Sequence, residues 1–355
     1  MKDVAEELGT WLAAGEQVAI ATVVRVEGSA PRPVGASLIA AAGDRIAGSV
    51  SNGCVEAAVY EEAMAALGEA RARVVHYGIS DEFAFTVGLS CGGAIDVLVE
   101  PVGAAHLAAL TEMRADRPAV LARCVAPADR VGTLGVWTER RSLSSWPADL
   151  AALEAEARSA LREGVPKTAT TRLADGREAA VFLHALPPAP TLLIVGATHV
   201  AIPLARFAKE LGYRTVVADP RASLANRERF PTADELVLAW PDEAVARHPL
   251  QAGSAVVVLS HDPKFDHPAL VAALRSDAGY VGAIGSRRTN EERFAWLRAQ
   301  GFGDTDLARI HAPVGLDLGA RTAEETALAI LAEILAVRRG RLGLSLSARA
   351  AAAVS

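Results

Sequence analysis

Cysteine is scarce in this sequence: Cys54, Cys91 and Cys124 are the only three among 355 residues. Three thiols so far apart make neither a disulfide framework nor a four-ligand zinc site, and in a reducing compartment they remain thiols. Basic excess is missing too, because 36 Lys and Arg against 42 Asp and Glu leave a formal charge of -6. That argues against nucleic acid and against an anionic membrane surface as partners. No apolar run approaches the roughly 18 residues needed to span a bilayer, which argues against stable membrane insertion. The amino terminus "MKDVAEELGTWLAAGEQ" carries acids where a signal peptide is basic and then apolar. A cytoplasmic protein is expected. Internal repeats are absent, and alanine enrichment carries no chemistry.

Apolar residues make up 51% of the chain and charged residues 22%, so a large core can be buried. The length favours two domains. The proline cluster "LPPAP" at Leu186 forbids helix and sheet interior and sets the expected boundary there. Downstream, "TLLIVGA", "HVAIPLARFAKELG" and "YRTVVADP" read as strand, helix, strand, and "SAVVVLS", "HPALVAALRS", "GYVGAIGS" and "NEERFAWLRAQG" continue the alternation. The expected fold is α/β: a Rossmann-like doubly wound parallel sheet over 187–340, preceded by an α+β domain over 1–186. Residues 341–355 lack a closing signal and read as a disordered tail. In the first domain, helices are expected over 3–14, 53–67, 103–115 and 148–162. Strands are expected at "QVAIATVVRV", "ASLIAA", "ARVVHYG", "AIDVLVEP" and "PAVLARCV".

Three stretches of the first domain carry chemistry. In "GSVSNGCVEAAVYEEA" (48–63), Ser51 and Asn52 are good helix caps and the apolar spacing from Val55 predicts a helix starting near Gly53. Cys54 would then sit in a first turn, where unpaired N–H groups and the dipole favour thiolate, a sulfur nucleophile or soft-metal ligand. The plainer reading is a small buried hydrophobe at a turn. Cys91, in "GLSCGGAIDVLVEP", is flanked by Gly92 and Gly93, which allow close approach of a ligand or simply make a turn. In "EGSAPRPVGASLIA", prolines stiffen a loop presenting Ser29 and Arg32, and an arginine held there can grip a phosphate or carboxylate. Cys124, in "VLARCVA", has no glycine or cap beside it and reads as core.

The motifs "GSAPRPVGASLI", "GSVSNGCVEAAV" and "GLSCGGAIDVLVEP", followed by a Rossmann half with "HDPKFD", "GAIGSRRT" and "IHAPVGLDLGARTAEE", resemble the XdhC/CoxI family over nearly the whole chain. The resemblance implies an accessory protein that matures molybdenum hydroxylases of the xanthine and carbon monoxide dehydrogenase type. Such a protein binds molybdenum cofactor, as molybdopterin or its dinucleotide form, and supports its sulfuration with a cysteine desulfurase. It then delivers the product to the apo molybdenum hydroxylase, with little or no catalysis of its own. That role suits Cys54 as the thiol that carries sulfur or ligates molybdenum, with Cys91 as a second functional thiol. Ser29, Arg32, Gly53, Gly92 and Gly93 would contact the cofactor. A homodimer is the default assembly for a soluble chain.

In the Rossmann half, "VGATHVA" departs from G-x-G-x-x-G: Gly196 is present, but Thr198 and Ala201 replace the second and third glycines. The family pattern usually has glycine where Thr198 stands. Asp219, at the end of the second strand, fits a ribose-binding acid, so NAD(P) is disfavoured by one half of the signal only. The alternative to a chaperone is an NAD(P)-dependent oxidoreductase. Ligands of open sheets lie beyond the strand carboxyl ends, where His199, His261 and Asp262 offer polar contacts. Ser286, Arg287 and Arg288 at a helix start make an anion site suited to a pterin phosphate. The spacings of His261, Asp262, His267 and His311 match no zinc motif.

Overall fold

Describing residues 1–78, 92–138 and 147–347, a computed structural model divides the chain after Pro188 into two compact units. In the first, a 3-10 turn (Lys2–Val4) runs into α1 (Ala5–Ala13), β1 (Ala19–Glu27), β2 (Ser37–Ala41), β3 (Arg45–Gly48) and α2 (Glu56–Glu69). Then come β4 (Arg73–Tyr77), β5 (Ala94–Pro101), α3 (Ala104–Arg114), β6 (Ala119–Ala126) and β7 (Leu134–Thr138). A 3-10 segment (Ala148–Leu153), α4 (Glu154–Glu163), β8 (Lys167–Arg172) and β9 (Glu178–Leu186) complete the unit.

The strands make two antiparallel sheets, ordered β3-β2-β1-β5-β4 and β7-β6-β9-β8. The first sheet is covered on one face by α2, where Val59, Ala63 and Ala66 pack on Ala21, Val23, Val97 and Val99. Its other face meets the second sheet through Ile20, Ile39, Leu121 and Leu186, joined by Leu8 of α1 and Leu110 of α3. Burial on both sides explains why β1 reads as a nearly continuous apolar run instead of alternating. The edge strand β8 has the opposite character: half-buried and exposed residues alternate through "KTATTR". α2 begins at Glu56 with Val55 as its N-cap, not near Gly53, and the expectation that Cys54 lies in its first turn is corrected accordingly.

The second unit contains β10 (Thr191–Val195), α5 (Ala201–Glu210), β11 (Arg214–Ala218), β12 (Glu235–Val237), α6 (Pro241–Arg247) and β13 (Ala255–Val258). It continues with α7 (Pro263–Arg275), β14 (Tyr280–Ala283), α8 (Arg287–Ala299), α9 (Asp304–Leu307), β15 (Ile310–His311) and α10 (Ala323–Arg338). All six strands are parallel, in the order β12-β11-β10-β13-β14-β15, so the Rossmann-like architecture is present. Val256, Val257 and Val258 are fully buried, each side chain worth about 1.5–3 kcal/mol of transfer free energy. The strand order reverses its direction of growth between β10 and β13, which fixes where a ligand cleft opens. Among the described residues no helix is long and apolar enough to cross a membrane.

Candidate functional site

The antiparallel order of the first sheet sends three motif-bearing loops to one end. β1 leaves the sheet at Glu27 and β2 enters at Ser37, β3 leaves at Gly48, and Gly92 and Gly93 lead into β5. These loops touch. Asn52 Nδ2 donates to the Pro31 carbonyl at 3.4 Å. A Cβ on Gly93 would lie 2.0 Å from the Ser29 carbonyl oxygen and 2.7 Å from that of Glu27, so only glycine lets the two strands close here. Ser29 and Gly92 are exposed, Cys54 is half-buried against the α2 face, and Cys91 lies outside the described residues. Arg32 donates to Asp3 at 2.8 Å, so this guanidinium, expected to grip an anion, is engaged by a carboxylate of the chain itself.

The backbone around Cys54 is shaped by Glu56. Asn52 and Gly53 turn the chain with φ of 57° and 105°. The Glu56 carboxylate then reaches back and accepts from the amides of Ser51 and Gly53 at 2.8 Å, Val50 at 3.2 Å and Val55 at 3.3 Å. The hydroxyls of Ser49, at 2.6 Å, and Ser51 also donate to it. Ser51 Oγ in turn accepts from the Val55 amide at 2.9 Å. The donors expected to face the thiol are therefore gathered by a carboxylate instead. Burial pushes the Glu56 carboxyl up, but its hydrogen bonds with Ser49 and Ser51 outweigh this and hold it at about 2 against an ordinary 4.5. A depressed folded-state value means stability present above about 4.5 and lost as pH falls toward 2. Thermal unfolding between about pH 5 and pH 2.5 should accordingly show an acid-destabilisation limb that Glu56→Gln flattens; an unchanged slope would refute this.

One further feature was not legible. His76 Nδ1 and Asp96 Oδ1 lie 2.7 Å apart on paired positions of β4 and β5 near the same sheet end, with Arg25 3.7 Å from that carboxylate. Nothing in the spacing of "ARVVHYG" and "AIDVLVEP" announces this pair, because only the strand register makes them neighbours. Cys124 is fully buried in β6, its Sγ donating to the Ala126 carbonyl at 3.1 Å.

In the second unit, the expected site residues gather at the carboxyl ends of the strands. Asp219 is buried, and its carboxylate accepts from the Ala197 amide at 2.9 Å and from Arg221 N, Nε and Nη2 at 2.9, 2.8 and 2.8 Å. Burial opposes its ionisation, yet these donors, Arg221 foremost, hold it below the usual carboxylate range. The acid expected at a ribose thus braces the turn after Gly196 and is already satisfied. Arg221 lies over Phe265, 5.4 Å from the ring, and both line the cleft beside Gly196 and Ser260. His199 and His261 are exposed; Asp262 caps α7 by accepting from the Lys264 amide at 3.1 Å. Ser286 caps α8, accepting from the Thr289 amide at 3.1 Å. Arg287 and Arg288 are exposed in its first turn, Arg288 pairing with Glu292 at 3.2 Å.

The buried guanidinium of this region is Arg293, which the helical pattern of "NEERFAWLRAQG" does not single out. It donates to Asp266, to Asn290 Oδ1 at 2.7 Å and to the carbonyls of Ile284 and Ser260, tying α7 and α8 to the ends of β13 and β14. Among the described residues no group of three or more His, Cys, Asp or Glu is placed to hold a metal ion.

A thiol-bearing antiparallel unit ahead of a parallel unit of Rossmann order, its glycine turn braced by an internal acid, defines a two-unit α/β class. Two family models match, one described as the XdhC and CoxI family over residues 11–78 and one as the XdhC Rossmann domain over residues 192–334. The chain belongs to the XdhC/CoxI family. A protein of Bacillus subtilis (strain 168), named as a probable xanthine dehydrogenase subunit, is 26% identical over 336 residues, covering 91% of this chain and 94% of that protein. The molybdenum cofactor insertion chaperone PaoD of Escherichia coli (strain K12) is 29% identical over 329 residues, covering 92% and 85% respectively. A crystal structure described as that of a xanthine dehydrogenase from Bacillus halodurans has the same fold, with a TM-score of 0.77 at 24% identity over 96% of this chain and 98% of that one.

Proposed function

We propose that this protein is a molybdenum cofactor chaperone: it receives the cofactor, supports its sulfuration with a cysteine desulfurase, and delivers it to an apo molybdenum hydroxylase of the xanthine or carbon monoxide dehydrogenase type. The observation that carries the reading is the meeting of three motif-bearing loops at one sheet end, one of which carries the half-buried thiol Cys54. A soft, polarisable sulfur suits a soft metal centre or a transferable sulfur atom, whereas an oxygen ligand would suit neither. Ser29, Gly53 and Gly92 are exposed and Arg32 is half-buried at that sheet end, and the reading assigns them, with Gly93 and Cys91, to the cargo. In the second unit, Gly196, His199, His261, Asp262, Ser286, Arg287 and Arg288 supply the polar and cationic groups that a phosphate-bearing cargo requires, and Asp219 keeps the turn in shape.

The oxidoreductase reading is opposed by the same Asp219, whose carboxylate is already engaged by the Ala197 amide and by Arg221 rather than held ready for a ribose hydroxyl, and by the Thr198 side chain. Ultraviolet–visible spectroscopy of the protein purified with its cargo tests the choice. A pterin–molybdenum chromophore is expected, together with NAD(P) affinity weaker than about 1 mM. A reduced-nicotinamide band, or micromolar NAD(P) binding, would overturn the chaperone reading.

A further inference from the structure

Six donors converge on the two oxygens of one side chain beside Cys54, and their placement decides what that side chain is for. A carboxylate that merely caps a helix accepts from the first helical amides. Glu56 instead gathers the amides of Val50, Ser51 and Gly53, all ahead of α2, along with the Ser49 and Ser51 hydroxyls and the Val55 amide. Cys54 lies between two of the held amides, those of Gly53 and Val55. Asn52, on the same loop, donates to the Pro31 carbonyl, so the position of this turn is passed to the loop that carries Ser29 and Arg32. Five residues, 49 to 51, 53 and 55, answer to one acceptor.

We infer that Glu56 is the positioning residue of the cargo site: its carboxylate fills the cradle formed by residues 49–55 and fixes the conformation in which Cys54 is presented, without itself touching the cargo. This rests on the reading of Cys54 as the cargo thiol. Without the carboxylate, the amides of Val50, Ser51 and Gly53 and two hydroxyls lose this acceptor at once, the Val55 amide keeping Ser51 Oγ, and the loop opens while α2 and the sheet, held by their own apolar faces, remain.

The test uses the full chain carrying Glu56→Ala, Glu56→Gln or Cys54→Ser. Amide exchange in residues 49–56 should rise about tenfold in Glu56→Ala, with β1 and β5 unchanged. Alkylation of Cys54 by iodoacetamide, referenced to Cys124 in the same molecule, should quicken as the loop exposes the sulfur. Cofactor retention should fall. Formate at tens of millimolar, a free carboxylate small enough for the vacated cradle, should restore all three in Glu56→Ala and none in Glu56→Gln, where the amide still fills the space. Unchanged loop exchange and alkylation in Glu56→Ala would overturn the inference, as would changes spread through the whole sheet that formate does not reverse. Failure of the underlying reading is seen separately: Cys54→Ser would keep its cofactor, whatever the Glu56 variants do to the loop.

Discussion

Cys54→Ser should reduce maturation of the client hydroxylase steeply while leaving the fold almost untouched. Sulfur and hydroxyl oxygen are close in size, and a half-buried position at a polar turn tolerates the exchange at a cost of about 0.5 kcal/mol. What disappears is the soft, nucleophilic atom, and neither molybdenum ligation nor sulfur carriage survives that loss. Bound cofactor should shield Cys54 from an alkylating reagent in the unaltered protein. Cys124→Ser is the matched control. Its hydroxyl can still donate to the Ala126 carbonyl, but it sits among Val120, Trp137 and Leu150, and the change should cost about 1 kcal/mol with normal maturation per folded molecule. Client activity, melting temperature and cofactor content of the two variants decide the matter. Normal maturation by Cys54→Ser would reduce this thiol to a packing residue.

Arg123→Ala should be among the most destabilising single changes in the first unit, at about 3–5 kcal/mol. This fully buried guanidinium of β6 crosses between the two sheets: it donates to Thr22 Oγ1 at 2.8 Å, to Glu100 Oε1 at 3.2 Å and to His184 Nδ1. Glu100, equally buried, has His106 Nε2 at 3.1 Å as its other partner. Burial works against the Glu100 charge, but His106 and Arg123 together keep its carboxyl below the usual range. Truncating the arginine strands a buried carboxylate and opens a cavity beside Phe182, over which the guanidinium lies at 5.5 Å. Thermal or denaturant unfolding measures the loss. Replacing both charges, as in Arg123→Met with Glu100→Leu, should recover much of it, because apolar isosteres remove the desolvation cost along with the attraction. A loss below about 1 kcal/mol in Arg123→Ala would show that the network does not hold the sheets together.

The second unit was legible because a doubly wound sheet writes itself in sequence: buried strands such as "AVVVL" are apolar throughout, and amphipathic helices separate them. Two of its strands, β12 and β15, are only three and two residues long and carry too little pattern to be read. The first unit was harder. Its motif residues were visible, but that Arg123, in the apolar run "VLARCVA", anchors an inter-sheet network depends on partners 101, 23 and 61 positions away along the chain. Glu56 stood in plain view as a helical acid. Its backward reach was hidden because the pattern that predicts a helix says nothing of which way a first-turn carboxylate folds, and three held amides moved the helix start to Glu56 itself.

The strand order β3-β2-β1-β5-β4 has a consequence for timing during synthesis. β1 lies at the centre of the sheet, and β5, the partner that brings Gly93 against Ser29, is made last among these strands. A ribosome that has just finished Cys54 has produced the thiol but not the enclosure, and non-local pairing of this kind closes late. An incomplete chain therefore carries the sulfur of Cys54 without the strand that completes its surroundings. Under the proposed function, competence to hold the cargo would arrive together with the finished sheet, so that occupancy itself would certify a folded first unit.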